Sequence, residues 1–181
     1  MNLAITTKAS PAAAGVGGGT GVLLGRIQSL QLGRFTLEKP VTSFAQSTKG
    51  VLANKGLTGN IGGGILRRFK VIFNYPDRRM ILEPNSRFTE PFESDMSGTV
   101  LIAEGAELDI RKVFYVTENS PTSEAGLRVG GIITAIDGKP SSALTLDDIR
   151  EKFKQNGREY LLSVERGEQS LQIKIKLRGL I

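Results

Sequence analysis

Ser120 to Pro140 reads SPTSEAGLRVGGIITAIDGKP. The first half, SPTSEAGLRVGG, has the character of a short helix ended by Gly130-Gly131. The second, IITAIDGKP, is a strand running into an Asp-Gly turn, the strongest short-range hairpin signal. A helix that hands the chain through Gly126-Leu127 to a strand and a tight turn sets the pattern of everything around it. Downstream, TLDDIREKFKQNG forms an amphipathic helix. Thr145 is its N-cap, Asp148 sits in capping-box position, and Leu146, Ile149 and Phe153 share one face. Gly157 closes it. EYLLSVERGEQSLQIKIKLRGL is a hairpin around Arg166-Gly167. Upstream, TVLIAEG and KVFYVTENS read as strands, so this part of the chain is α+β.

The front reads as β. GVLLGRIQSLQLG places Val22, Leu24, Ile27, Leu30 and Leu32 along one arm of a hairpin, turning at Leu32-Gly33-Arg34 into FTLEKPVTSF. The proline in that second arm disrupts it. After the looser AQSTKGVLANKGLTG, a glycine turn in NIGGGILRRF opens a short helix, and KVIFNY and RMILEP form a second hairpin. Proline and asparagine between Glu83 and Asp95 break the periodicity. The organisation expected is therefore residues 1–84, a linker at 85–92, and residues 93–181.

Composition excludes much chemistry. The chain has 181 residues, no cysteine and no histidine. Disulfides, thiolate zinc sites, histidine ligands and Ser-His-Asp or Cys-His machinery are all absent. No apolar run is long enough for a membrane span, and the opening residues lack the apolar core of a secretory signal. They lead at once into strand-like, glycine-rich sequence, as in the rear part of a longer polypeptide. Net charge is +8 over residues 1–90 and −2 over 91–181. The cluster Arg67, Arg68, Lys70, Arg78 and Arg79 surrounds one short helix and one turn without interleaved aromatics, which reads as a solvated basic face rather than a nucleic-acid surface. The glycine cluster GVGGGTG (Gly15–Gly21) has neither dinucleotide-loop spacing nor a following Gly-Lys-Ser/Thr. No cofactor, metal or nucleic-acid partner is expected.

Residues 93–181 resemble a PDZ domain of the bacterial arrangement. The resemblance is carried by MSGTVLIAEG, VTENSPTSEAGLRVGGIITAIDGKP, LTLDDIREKFKQNG and YLLSVERGEQSLQIKI. It implies binding of peptide or protein C-termini, or of extended polypeptide, by strand addition. Ser97, Gly98, Thr99 and Val100 would form the carboxylate loop, whose glycine permits a sharp turn. Leu101, Ile102 and Ala103 would pair with the guest, and Leu146, Arg150 and Phe153 would line the groove. The usual Gly-Leu-Gly-Phe of that loop is here Met96-Ser97-Gly98-Thr99.

Residues 1–84 resemble the C-terminal portion of a retropepsin-like aspartic protease, through GLTGNIGGGILRRFKVIFNYPDRRMILEP. The turn is Asn60-Ile61-Gly62-Gly63 and the strand Phe73-Asn74-Tyr75, with Asn74 and Gly64 departing from the acidic or polar residues common there. The fold class implied is mainly β with short helices: an incomplete retropepsin-like lobe plus an α+β PDZ-like domain. Gly15, Gly17, Gly18 and Gly19 would then belong to a flap. Such units can complete their site as homodimers, and the family is exported, which implies a periplasmic or extracytoplasmic parent. Its catalytic Asp-Thr/Ser-Gly tripeptide is absent. Residues 1–76 contain no aspartate, and no residue here is assigned a catalytic role. Two functions follow: a peptide-binding PDZ module attached to the back of an endopeptidase domain, or a non-enzymatic adaptor binding protein C-termini.

Overall fold

In the computed structural model, residues 8–15, 18–45, 56 and 59–181 are described. The chain forms two compact units. One joins Met1–Gln46 with Glu93–Ile181, and the other is Ser47–Phe92. Mainly strands with a few short helices make up both. Among the described residues, no helix is long and apolar enough to cross a membrane, and no cluster of acidic, cysteine or histidine side chains could hold a metal.

In the first unit, β1 (Lys8–Gly15) and β2 (Gly18–Arg26) pair antiparallel, with Gly15 opposite Gly18 and Gly19 opposite Ala14. The glycine cluster thus closes a hairpin; Gly17 lies outside the described residues. The hairpin expected over residues 21–44 forms, but in two stacked pieces. β3 (Ser29–Leu32) pairs with β4 (Phe35–Glu38) across a turn holding Gly33 at φ +56°. β5 (Val41–Ala45) then pairs with β2, Arg26 opposite Val41. The break falls at Pro40, which has no N–H to give the ladder. Only its carbonyl takes part, accepting from Ile27 at 3.4 Å.

The larger part of this unit is a sheet in the order β13-β12-β10-β9-β8, with β11 paired to β10. Its strands are β8 (Thr99–Glu104), β9 (Ile110–Val116), β10 (Ile132–Ile136), β11 (Lys139–Pro140), β12 (Glu159–Arg166) and β13 (Gln169–Lys176). The Asp-Gly turn forms as expected, Asp137 at φ +50° and Gly138 at +76°. The Asp137 carboxylate also accepts from the Leu161 amide at 2.9 Å, tying the turn to β12. Two helices lie between strands, α2 (Pro121–Glu124) and α3 (Leu146–Lys152). Both are shorter than the pattern suggests. α2 ends at Ala125 rather than at Gly130-Gly131, because Gly126 already turns left-handed at φ +85°. α3 carries the expected Thr145–Asp148 capping box but stops at Phe153, four residues before Gly157. The core is one cluster in which Val113, Leu127, Ile133 and Leu162 are wholly buried, with Ile149, Phe153, Tyr160, Ile175 and Leu177 nearly so.

The unit of residues 47–92 has α1 (Gly63–Leu66) and a hairpin of β6 (Phe69–Asn74) and β7 (Arg79–Pro84). Asn74 and Asp77 clasp each other across its turn, amide to carboxylate at 3.0 Å and backbone N–H to amide oxygen at 3.1 Å. One expectation is overturned here. Arg68 is not on a solvated face: it is 1% exposed. The stretch expected as a linker folds around it. Its Nη1 donates to the carbonyls of Arg87 (2.9 Å), Phe88 (3.3 Å) and Glu90, and Nη2 to Pro91 at 3.1 Å. The Phe92 ring lies 3.7 Å from the guanidinium carbon. Desolvation, then the charge of Arg67, holds this guanidinium below its ordinary value, while carbonyl dipoles replace its lost water.

Replacing Arg68 with Met removes a donor from each of those carbonyls and is expected to destabilise the unit by about 3 kcal/mol. Arg68→Lys restores little, because an ammonium does not span the carbonyls a guanidinium fork reaches. Amide hydrogen exchange of β6 and β7 in each variant measures the loss.

Candidate functional site

β8 ends the sheet: β9 pairs with one of its edges, and no strand among the described residues pairs with the other. α3 packs beside β8. Within β8 the residues alternate. Thr99 and Leu101 are buried, while Val100 and Ile102 are half-exposed. A register shift between Val100 and Leu101 kinks the strand where it leaves the preceding loop. The chain thus presents a strand edge with a helix alongside, which is the geometry strand addition uses.

The expected wall residues divide. Leu146 is half-buried against the core. Arg150 is exposed and bonded to Asp147 at 2.8 Å on its own helix. Phe153 is 1% exposed and packs edge-on against Tyr160, with ring centroids 5.7 Å apart, so it is core rather than wall. Leu101, too, belongs to the core cluster. Ile102 and Ala103 stay half-buried along the strand.

The loop before β8 is built differently from the expectation. Ser97, Gly98 and Thr99 are all buried. Their polar groups are satisfied from within the chain, and the organiser is Asp95, which lies just ahead of the expected loop. Its Oδ1 accepts from the Ser97 amide (2.9 Å), the Ser97 hydroxyl (2.6 Å) and the Gly98 amide (2.8 Å). The Thr99 amide donates to Ser97 Oγ at 3.1 Å, and the Met96 amide to the Phe153 carbonyl at 2.8 Å. Carbonyls are met as fully. Thr122 donates to Ser97 O from its amide (3.1 Å) and its hydroxyl (2.8 Å), and Thr117 N–H to Gly98 O at 2.7 Å. Asp95-Met96-Ser97-Gly98 is legible in retrospect as an aspartate accepting from the amides two and three residues on.

Gly98 is fixed by geometry. At φ +79°, a Cβ there would stand 2.2 Å from Ser120 Cβ. Ser120 caps α2, accepting from Ser123 N–H at 3.3 Å, and donates to Thr117 O at 2.5 Å. The loop and α2 therefore meet at van der Waals contact only because residue 98 has no side chain. Burial pushes the Asp95 carboxyl above its ordinary value, against the lowering effect of the hydrogen bonds it accepts.

Residues 113–166, from within β9 to the end of β12, match the PDZ domain family. The rear of the chain therefore contains a PDZ domain, and the loop at 95–99 and β8 lie just ahead of the matched stretch. The chain is 33% identical over 98 residues to a probable CtpA-like serine protease of Staphylococcus haemolyticus, covering 51% of this chain and 19% of the relative. It thus spans about a fifth of that relative's length. Among solved structures it is similar to the HtrA-type protease AlgW with decapeptide (16% identity, 98% of this chain and 61% of that one, TM-score 0.47). It is also similar to a PDZ domain protein from Parabacteroides distasonis (20% identity, 44% and 19% covered, TM-score 0.38).

One of these likenesses, to the curated protease, bears on the front-half expectation. The curated protease the chain resembles is of the serine type, so the aspartic, retropepsin-like assignment of residues 1–84 is not supported. Those residues do not form one compact unit either, since Met1–Gln46 groups with Glu93–Ile181.

Two outcomes follow. Gly98→Ala is expected to cost on the order of 2 kcal/mol or more, combining positive-φ strain with the Ser120 overlap. Adding Ser120→Gly removes the overlap but not the strain, so a double-mutant cycle in urea shows favourable coupling. A carboxyl raised on folding contributes stability that is full below its unfolded value, about 3.9, and lost as pH rises through the folded value. The stability of the wild type relative to Asp95→Asn is therefore expected to increase as pH falls from 7 to about 4, read from paired urea titrations.

Proposed function

We propose that residues 93–181 capture an extended polypeptide segment as an added strand along the outer edge of β8, with α3 as the facing wall. One observation carries this reading: β8 is the terminal strand of a five-strand path and α3 lies beside it. Backbone hydrogen bonds along the edge would supply affinity, and the half-exposed Val100, Ile102, Ala103 and Leu146 would supply preference. The PDZ family match from within β9 to the end of β12 supports the same use.

The module's service is to a protease. The likeness to a CtpA-like serine protease supports a role in holding a polypeptide for cleavage by a catalytic domain. Without histidine the chain assembles no Ser-His-Asp triad.

Peptides selected from random libraries test this by amide chemical-shift titration. Shifts are expected at residues 99–104 and 146–153. Shifts confined to the β13 edge would refute the assignment. Leu146→Glu is expected to weaken binding about tenfold, roughly 1.4 kcal/mol, with far-ultraviolet dichroism unchanged.

A further inference from the structure

The loop that precedes β8 has no donors to spare. Capture of a peptide terminus at such a place needs backbone N–H groups that converge on an incoming carboxylate. Here four successive amides, Met96 to Thr99, each already have an acceptor inside the chain: Phe153 O, Asp95 Oδ1, Asp95 Oδ1 again, and Ser97 Oγ. The acceptor at the centre is itself a carboxylate. Ser97 is wholly buried and Thr99 is 7% exposed, so the loop faces the interior. A guest terminus would have to displace Asp95 from three hydrogen bonds and then lie beside it, with two like charges competing for the same donors. The strand edge that follows has no such internal occupant among the described residues.

We infer that this groove selects internal, extended polypeptide segments rather than free C-termini, because Asp95 stands where the guest's terminal carboxylate would bind. The inference rests on the strand-adding reading and specifies its ligand. Asp95 is the specificity-determining residue: it supplies the terminal carboxylate that a guest would otherwise bring. A segment entering midway along a substrate chain needs no terminal anchor, and its backbone passes the loop while pairing with β8.

The test uses the whole chain and two random peptide libraries, one displayed with free C-termini and one flanked by polypeptide on both sides. Binders are then synthesised as matched acids and amides. The expected result is recovery from the flanked library, with acid and amide affinities agreeing within about twofold. A tenfold or greater preference for the acid would overturn the inference while leaving strand addition standing. Binders from neither library would remove strand addition itself. Asp95→Gly frees the Ser97 and Gly98 amides and is expected to create a fivefold or greater preference for the acid; no gain in a folded variant would count against Asp95 as the determinant. Should Asp95→Gly not fold, Asp95→Asn keeps an oxygen acceptor for both amides without the charge. It is then expected to retain near-equal affinities, and a fivefold preference for the amide would exclude the inference.

Discussion

A half-buried carboxylate, held by its own neighbours' N–H groups, governs the entrance to the main sheet. Asp95 is partly removed from water, and the hydrogen bonds its Oδ1 accepts offset that cost. The loop from Met96 to Thr99 is the shape that offsets it. Ser97 contributes both its amide and its hydroxyl, Gly98 contributes its amide from a left-handed backbone, and Thr122 secures the carbonyl between them. Once this knot is tied, the direction in which β8 leaves, the distance to α2 and the seat of the Phe153 carbonyl are all set. Apolar packing beneath then holds a sheet whose outer edge is already aimed.

The same device recurs with the opposite sign. Arg68 and Arg111 are both buried, and carbonyls hold both of them. Arg111 donates to Leu144 O from Nε at 3.1 Å and from Nη2 at 2.6 Å, and also to Leu108 O. Arg68 gathers the irregular stretch after β7. Where the chain lacks regular structure to pair its backbone, a guanidinium supplies several donors from one point. The two arginines therefore order turns that would otherwise leave peptide groups unsatisfied.

The rear sheet was largely open to reading because its signals are local. The Asp-Gly turn, the Thr145–Asp148 box and the alternation in residues 159–176 are each set within a few residues, and each formed. Helix ends were misjudged where a glycine acts earlier than the pattern suggests, as Gly126 does. Leu101 and Phe153 looked like groove residues because burial in a core and lining of a pocket demand the same side chains. Only a third dimension separates them. Arg68 was read as surface because charge in a sequence carries no sign of the carbonyls that will surround it. Asp95 carries no motif signal, because its role lies in hydrogen bonds to three groups next to it. The retropepsin-like reading of the front rests on short glycine-rich turns, which many β structures share.

The end of β13 has a further meaning. Past Lys176 the chain turns so that Arg178 N–H reaches Met96 O at 3.4 Å, while its side chain grips Glu124 at 2.6 and 2.7 Å and Asn119 O at 2.8 Å. The two ends of the stretch 96–178 thus lie side by side. A body with both leads at a single point can be spliced into a surface loop of a host without stretching it.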